Sequence, residues 1–315
     1  MTIRSFGATG DPVAVGLLEK FEEQFTYPLG AGQRFRVSHG EDYSRFYRAI
    51  GDARCFVAET NGSVAGVICA AVRTLQLPGG REMLVGYLGD LKVDEGQRYT
   101  RTLLVLARAV NAWLDGRIQG AYSVVMEGTS AVPSRYTGRL GVPSFRELGR
   151  LYVLRVPTVA TTPRLTESWD AAPDRGEAIY RRLAGRGYAS LGGFPEHRSD
   201  MKPAWLVHQN GHACGRLEDT RRAKRLYAED NSEILSAHLS CFAFTDVAAG
   251  IQLLSEASMR AATNGFPALF VALPESLGKL LCEALQNRDF VVAPATVFGA
   301  GFDRAGEWYI NSAEI

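Results

Sequence analysis

The apolar residues change period along the chain, and the changes mark out its elements. Val15, Leu18, Phe21 and Phe25 share one helical face over 14–25, and Tyr27-Pro28-Leu29-Gly30 stops that helix. Tyr43, Phe46, Tyr47 and Ile50 repeat the spacing over 41–50. The period then shortens to that of strands. Residues 55–59 and 64–70 flank Asn61-Gly62, a two-residue hairpin signal, and Pro78-Gly79-Gly80 turns the chain back into an apolar strand over 83–93. After a short polar loop, Leu103, Leu106, Ala107, Val110 and Leu114 recur at i, i+3, i+4 and i+7, which predicts a helix. A buried-type strand over 121–126, a helical segment over 127–139 interrupted by Pro133 and Gly138, and a strand over 145–156 complete this half.

From 157 to 176 the apolar period is lost and Pro, Thr, Ser and Asp accumulate, as in a linker. The second half then repeats the plan. A helix over 177–183 precedes strands at 205–208 and 213–217 around Asn210-Gly211, then a long strand over 234–244. A helix over 247–262, a buried strand over 268–273, a helix over 277–285 and a strand over 290–298 follow. This order predicts an internal duplication: an α/β (α+β) chain with domains at 1–157 and 177–315 joined by 158–176. Each domain is expected to hold a mixed, mostly antiparallel twisted sheet flanked by helices.

Composition changes this picture little. Lys and Arg total 35 against 34 Asp and Glu, a net charge of +1, so no global field points to nucleic acid or an acidic membrane. The local cluster Arg221, Arg222, Lys224 and Arg225 reads as a solvated face. Five scattered cysteines without a C-x-x-C pair fit a reducing compartment, and no apolar run is long enough to span a bilayer, so a soluble, cytoplasmic protein is expected. The five histidines show no metal spacing and no metal is expected; His208 and His212 are split by a turn, and His238 reads as a core residue.

The strand over 83–93 feeding the helix at 103 brings loop and helix N–H groups to one place, where an anion such as a pyrophosphate can dock. Residues 56–67, FVAETNGSVAGV, resemble the first hairpin of the GNAT acyl-CoA N-acetyltransferases, tandem-domain type. Leu91-Lys92-Val93-Asp94 followed by Gln97-Arg98-Tyr99-Thr100-Arg101-Thr102 resembles that superfamily's acetyl-CoA signature, [Q/R]-x-x-G-x-[G/A]. The resemblance implies that Leu91, Lys92 and Val93 pair with the pantetheine amides as an added strand, and that Arg98, Tyr99, Thr100, Arg101, Thr102 and Leu103 cradle the pyrophosphate. Both motif glycines are replaced, by Thr100 and Thr102; threonine hydroxyls can donate to phosphate, and Arg98 and Arg101 add charge.

The implied activity is transfer of an acetyl group from acetyl-CoA directly to a primary amine of a small molecule or peptide. The alternatives are a non-catalytic GNAT fold that binds a ligand or partner, and a transferase using another acyl-CoA. Tyr136 falls near the family's general acid for the leaving thiolate, or packs as an aromatic beneath the sheet edge. Asp90 resembles the Asp-Leu-x-Val form of amine-acetylating members and would orient or deprotonate the acceptor; a carboxylate there is otherwise paired, with Lys92 or an arginine. Alternation puts Asp90 on the side of Leu88 and Lys92. Glu127 is a lesser candidate that could equally cap a helix. In the second half the matching junction, 242–250, has no basic residue. Thr245 or Asp246 there reads as a helix cap, and that domain is expected to bind no cofactor and to complete the acceptor pocket or brace the first.

Overall fold

The computed structural model describes residues 1–7, 12–30, 32–97, 100–129, 132–139, 141–159, 169–285 and 289–315. The first half runs β1 (Thr2–Phe6), α1 (Pro12–Glu22), β2 (Tyr27–Gly30), β3 (Gln33–Ser38), α2 (Arg45–Arg48), β4 (Asp52–Thr60), β5 (Ser63–Gln76), β6 (Glu82–Val93), α3 (Thr102–Leu114), β7 (Gly120–Met126), α4 (Pro133–Tyr136) and β8 (Arg146–Pro157). The second half runs β9 (Asp170–Ala171), α5 (Pro173–Leu183), β10 (Tyr188–Ser190), β11 (Ala204–Val207), β12 (Ala213–Glu218), β13 (Arg225–Ala228), β14 (Ala237–Phe244), α6 (Val247–Thr263), β15 (Ala268–Pro274), α7 (Glu275–Ala284), β16 (Val291–Ala300) and β17 (Trp308–Tyr309). The Asn61-Gly62 turn forms where it was expected, because both residues take the positive φ (53° and 77°) that a tight hairpin needs.

One continuous sheet carries the strands in the order β1-β4-β5-β6-β7-β16-β8-β15-β14-β12-β11-β9. Read inward from its two ends, the order is the same in each half. Along this order β6–β7 and β14–β15 pair in parallel, and β16 and β8 meet antiparallel in the middle; off it, β10 and β17 form a third parallel pair. The last long strand of each half pairs only with the other half: β8 with β15 and β16, β16 with β7 and β8. The sheet is therefore mixed, mostly antiparallel and flanked by helices, as the alternation predicted.

Packing follows the apolar faces. Leu106, Val110 and Leu114 of α3 lie on Phe56, Ala65, Ile68 and Ala70. The helix comes this close because residue 66 has no side chain: a Cβ on Gly66 would lie 2.9 Å from Lys92 O and 3.0 Å from Thr102 Cγ2. α6 and α7 cover the second half's sheet through Leu253, Leu254, Ala257 and Leu281. A buried chain of charges joins the halves. Arg198 grips Glu218 with two bonds of 2.9 Å and also reaches Glu314, which pairs with Arg73 of β5.

Four expectations need adjustment. The predicted helix over 41–50 is only the four-residue α2. The Tyr27-Pro28-Leu29-Gly30 stop is itself strand β2, and it joins β3 and β13 in a separate three-stranded sheet. Helix α5 starts at Pro173, inside the expected linker, of which 160–168 lie outside the described residues. Lys224 is not on a solvated face: it is buried, its ammonium sits 4.3 Å from the Phe46 ring and donates to Ile315 O, and burial brings its pKa down to about 7. Arg221 and Arg222 do face outward, paired with Glu233 and Asp200.

Candidate active site

β6 and β7 are hydrogen-bonded only over Val85–Tyr87 and Gly120–Tyr122. Beyond Tyr87 the two strands separate, and β7 continues against β16 alone. On its other side β6 carries a bulge: Cys69 pairs with Gly89 and Val67 with Lys92, so Asp90 and Leu91 face no partner on β5. Asp90 takes the left-handed conformation, φ 54°, rare for a residue with a side chain. The extra residue resets the alternation. Leu88 and Leu91 both pack toward α3, while Asp90 and Lys92 share the opposite face, so the expectation that Leu88 would share the Asp90 side fails.

The gap between the strands opens into a cavity of about 970 Å³ that passes from one sheet face to the other. On the α3 face its wall includes Leu91, Thr100, Leu103, Leu104, Ala107 and Asn111; on the other, Tyr27, Phe35, His39, Phe46, Tyr47 and Lys224. Ser123, the first β7 residue past the paired stretch, lines it too, and its hydroxyl is buried without a partner among the described residues. At the start of α3 no side chain of Arg101 caps the helix; Thr100 Oγ1 lies 2.7 Å from Thr102 Oγ1 and accepts from Thr102 N at 3.3 Å.

Of the residues singled out in sequence, Asp90, Leu91, Thr100, Leu103 and Tyr136 line this one cavity. Thr102 is buried under the helix start, Arg101 is exposed, Val93 pairs with Gly66, and Arg98 and Tyr99 lie outside the described residues. Glu127 is exposed between two lining residues, Met126 and Thr129, and is not itself part of the wall. Tyr136 ends α4, and burial pushes its hydroxyl up to about 12, so it carries its proton at neutral pH.

Lys92 turns its side chain away from the α3 face into a buried cluster that local sequence spacing did not reveal. Its Nζ donates to Glu22 Oε1 at 2.6 Å and stands 3.1 Å from Asp90 Oδ1. Tyr43 Oη donates to Asp90 Oδ2 at 2.9 Å. Glu22 also holds His39, accepting from its backbone N at 3.0 Å and meeting Nδ1 at 2.7 Å; Nδ1 is 3.4 Å from Asp90 Oδ2. Burial works to raise both carboxyls, but Lys92 and His39 outweigh it, leaving Glu22 below its ordinary value and Asp90 at about 2. Glu22, His39 and Asp90 place their ligand atoms within 4.8 Å of one another, as a metal would require, but the Lys92 ammonium bonds both carboxylates and serves as the cation there.

The second half repeats the backbone device and closes it. β14 has its own bulge against β12, between the pairs Cys214–Ala243 and Arg216–Ser240, and Cys241 has φ 52°. Here Asn311 Oδ1 accepts from Cys241 N at 2.8 Å, and Phe242 and Phe244 are packed in the core under α6. Asp246 caps α6, accepting from Ala248 N at 2.8 Å, as expected. His238 is a core histidine held on Ser312 Oγ at 3.2 Å, and burial lowers it to about 3. Cys69 and Cys241 are buried, and burial pushes their thiols up, consistent with inert cysteines.

Sheet order, splayed parallel pair and bulge define a GNAT-like fold, with the strand order of one half repeated in the other. Solved structures with this fold include N-myristoyltransferase of Saccharomyces cerevisiae with bound myristoyl-CoA: TM-score 0.64 at 9% identity, over 98% of this chain and 81% of that one. A second structure of that enzyme with myristoyl-CoA gives 0.61 at 10%, over 96% and 83%. A conserved Enterococcus faecalis V583 protein, described as a probable N-acyltransferase, gives 0.51 at 8%, over 95% and 72%. No protein-family model and no curated protein matches the sequence.

Proposed function

We propose that the chain is an acyl-CoA-dependent N-acyltransferase that moves an acyl group directly to a primary amine of a small molecule or peptide. The observation that carries this is the gap between β6 and β7, with the Asp90 bulge at its edge and the α3 N-terminus beside it. An extended thioester arm entering from the α3 face can pair with the open edge of β6 at Leu91, with Ser123 Oγ free to bond it. The pyrophosphate end meets the N–H groups at Thr100–Leu103, with Arg98 and Arg101 adding charge. The amine then approaches from the face lined by Tyr27, His39 and Tyr47. Asp90, fixed by Tyr43 and Lys92, orients the acceptor side, and Tyr136 donates its proton to the departing thiolate. Fold relatives that hold myristoyl-CoA support a CoA thioester as co-substrate.

The motif resemblance names acetyl-CoA. The cavity favours a second reading, a longer acyl chain. About 970 Å³ lies at the upper end of the range for ligand pockets, and much of its wall is apolar, including Leu103, Leu104 and Ala107. We place the enzyme in the cytoplasm, on its unpaired cysteines; no helix among the described residues is long and apolar enough to cross a membrane. The second half, its bulge closed by Asn311, braces the first and takes no cofactor.

Calorimetry with desulfo-CoA, acetyl-CoA and medium- and long-chain acyl-CoAs tests the reading, followed by thiol release on a panel of amines. Binding and release are expected, with chain length ranking the donors. No binding by any of them at near-millimolar concentration would refute it, and binding without release on any amine would leave a ligand-binding protein in its place.

A further inference from the structure

The cavity's acceptor face holds a group that the resemblance does not supply. We propose that His39, oriented by Glu22, is the base that takes the proton from the acceptor ammonium; this rests on the acyltransferase reading above. Glu22 is ionised and can only accept, so its 2.7 Å contact with the ring requires the proton on Nδ1. In the neutral ring Nε2 then carries the lone pair. Nδ1 is turned to Glu22 and Asp90, Nε2 has no partner among the described residues, and His39 lines the cavity. The ring is clamped further by Tyr43, at 4.6 Å between centroids, and Phe46, at 5.5 Å.

Facing the ring are Glu22 from α1, Asp90 and Lys92 from β6, and the hydroxyls of Tyr43 and Tyr47, which burial keeps protonated. Lys224, from the second half, stands on the same cavity wall. Asp90 makes a poorer base, because its oxygens already serve Tyr43 and Lys92. In the step, His39 Nε2 takes one proton from R–NH3+ and passes it to solvent. The amine nitrogen bonds the thioester carbon, the C–S bond breaks, and the second amine proton replaces the one Tyr136 gives to the thiolate. The sum is an amide, free thiol and one released proton.

The test compares the wild-type chain with His39→Gln, His39→Asn and Glu22→Gln in thiol release, using the best acyl-CoA of the panel and two probe nucleophiles. One is an alkylamine, an ammonium at neutral pH; the other is aniline, already neutral there. With the alkylamine, kcat/KM should fall by about 10²-fold or more in both His39 variants and comparably in Glu22→Gln, whose amide can reverse the tautomer. With aniline the loss should shrink to a few-fold, and acyl-CoA binding should be unchanged. An equal loss with both nucleophiles, or a His39→Asn chain that binds acyl-CoA and keeps its alkylamine rate within threefold, would overturn the proposal. Should Gln or Asn fail to fold, Glu22→Gln decides it by the same two-nucleophile comparison. An inactive wild-type chain would refute the acyltransferase reading itself, and is seen before any variant is compared.

Discussion

Lys92→Met tests whether the buried cluster beneath Asp90 depends on one ammonium. The side chain is 2% exposed, so the variant keeps its apolar stem in place and deletes only the charge. At an effective dielectric of about 20, contacts at 2.6 and 3.1 Å supply roughly 6 and 5 kcal/mol of gross attraction. Desolvating the ammonium offsets several kcal/mol of this, but without it two buried carboxylates are left facing each other, and breaking such a group costs about 3–5 kcal/mol. The pH dependence has a definite sign. In the wild type both carboxyls sit below their ordinary values, so their contribution is fully present at neutral pH and is lost as pH falls through Asp90's value of about 2. In the variant burial is no longer opposed by Lys92 and the carboxyls rise, so acid neutralises them early and relieves the defect. Urea unfolding should therefore show the variant about 3–5 kcal/mol weaker near neutral pH and markedly closer to wild type at about pH 5. A difference below about 1 kcal/mol at neutral pH, or one independent of pH, would refute the reasoning.

Four further outcomes follow from the same geometry. Tyr136→Phe should lower kcat for thiol release by about 10²-fold while acyl-CoA binding in calorimetry is retained; an unchanged rate removes Tyr136 from its role. Gly66→Ala pushes a Cβ against Lys92 O and Thr102 Cγ2, and should cost about 1–3 kcal/mol, read as a lowered thermal midpoint together with weaker acyl-CoA binding. Acid should weaken the fold in two stages. His238, at about 3 against an ordinary 6.5, contributes stability that is present above 6.5 and lost toward 3, and Asp90 and Glu218, each at about 2, add a loss from about pH 4 to 2; His238→Asn should remove the upper stage from a pH series of thermal midpoints. A fragment of residues 1–157 should not give a dispersed amide spectrum, because β7 and β8 would both lose their pairing with β16, whereas co-expression with 158–315 should restore one.

Much of the frame is legible in the sequence because it is written locally. Asn61-Gly62 fixes a hairpin, the i, i+3, i+4 spacing from Leu103 fixes α3, and the repeated element order matches the repeated strand order of the sheet. The bulge was not legible. It depends on Asp90 adopting a left-handed conformation inside an apolar strand, and plain alternation therefore misassigned Leu88. Asp90's pairing with Lys92 was among the alternatives the residues allowed, since they are two apart. Glu22 and His39 were not reachable in the same way: Glu22 meets Lys92 across 70 residues and His39 across 17, and only the fold brings those distances to under 3 Å. The small sheet of β2, β3 and β13 was missed for the same reason, as β13 comes from the other half of the chain.

The two halves share a backbone device and differ in what surrounds it. Both halves place a left-handed residue at the same point of the strand beside their parallel pair, Asp90 in β6 and Cys241 in β14, so the backbone is predisposed to open twice. What differs is the side chains around each bulge. In the first half a glycine precedes the bulge residue and an ion cluster braces it; a Cβ on Gly89 would come 2.5 Å from Tyr47 Oη, so the ring and the strand edge are held at a fixed separation beside the cavity. In the second half Phe242 and Phe244 join the core, Gly250 lets α6 approach Phe244 to within contact, and Asn311 satisfies the bulge N–H. β15 and β16 complete the sheet around β8, and β7, past its short pairing with β6, is held along its other edge by β16 alone.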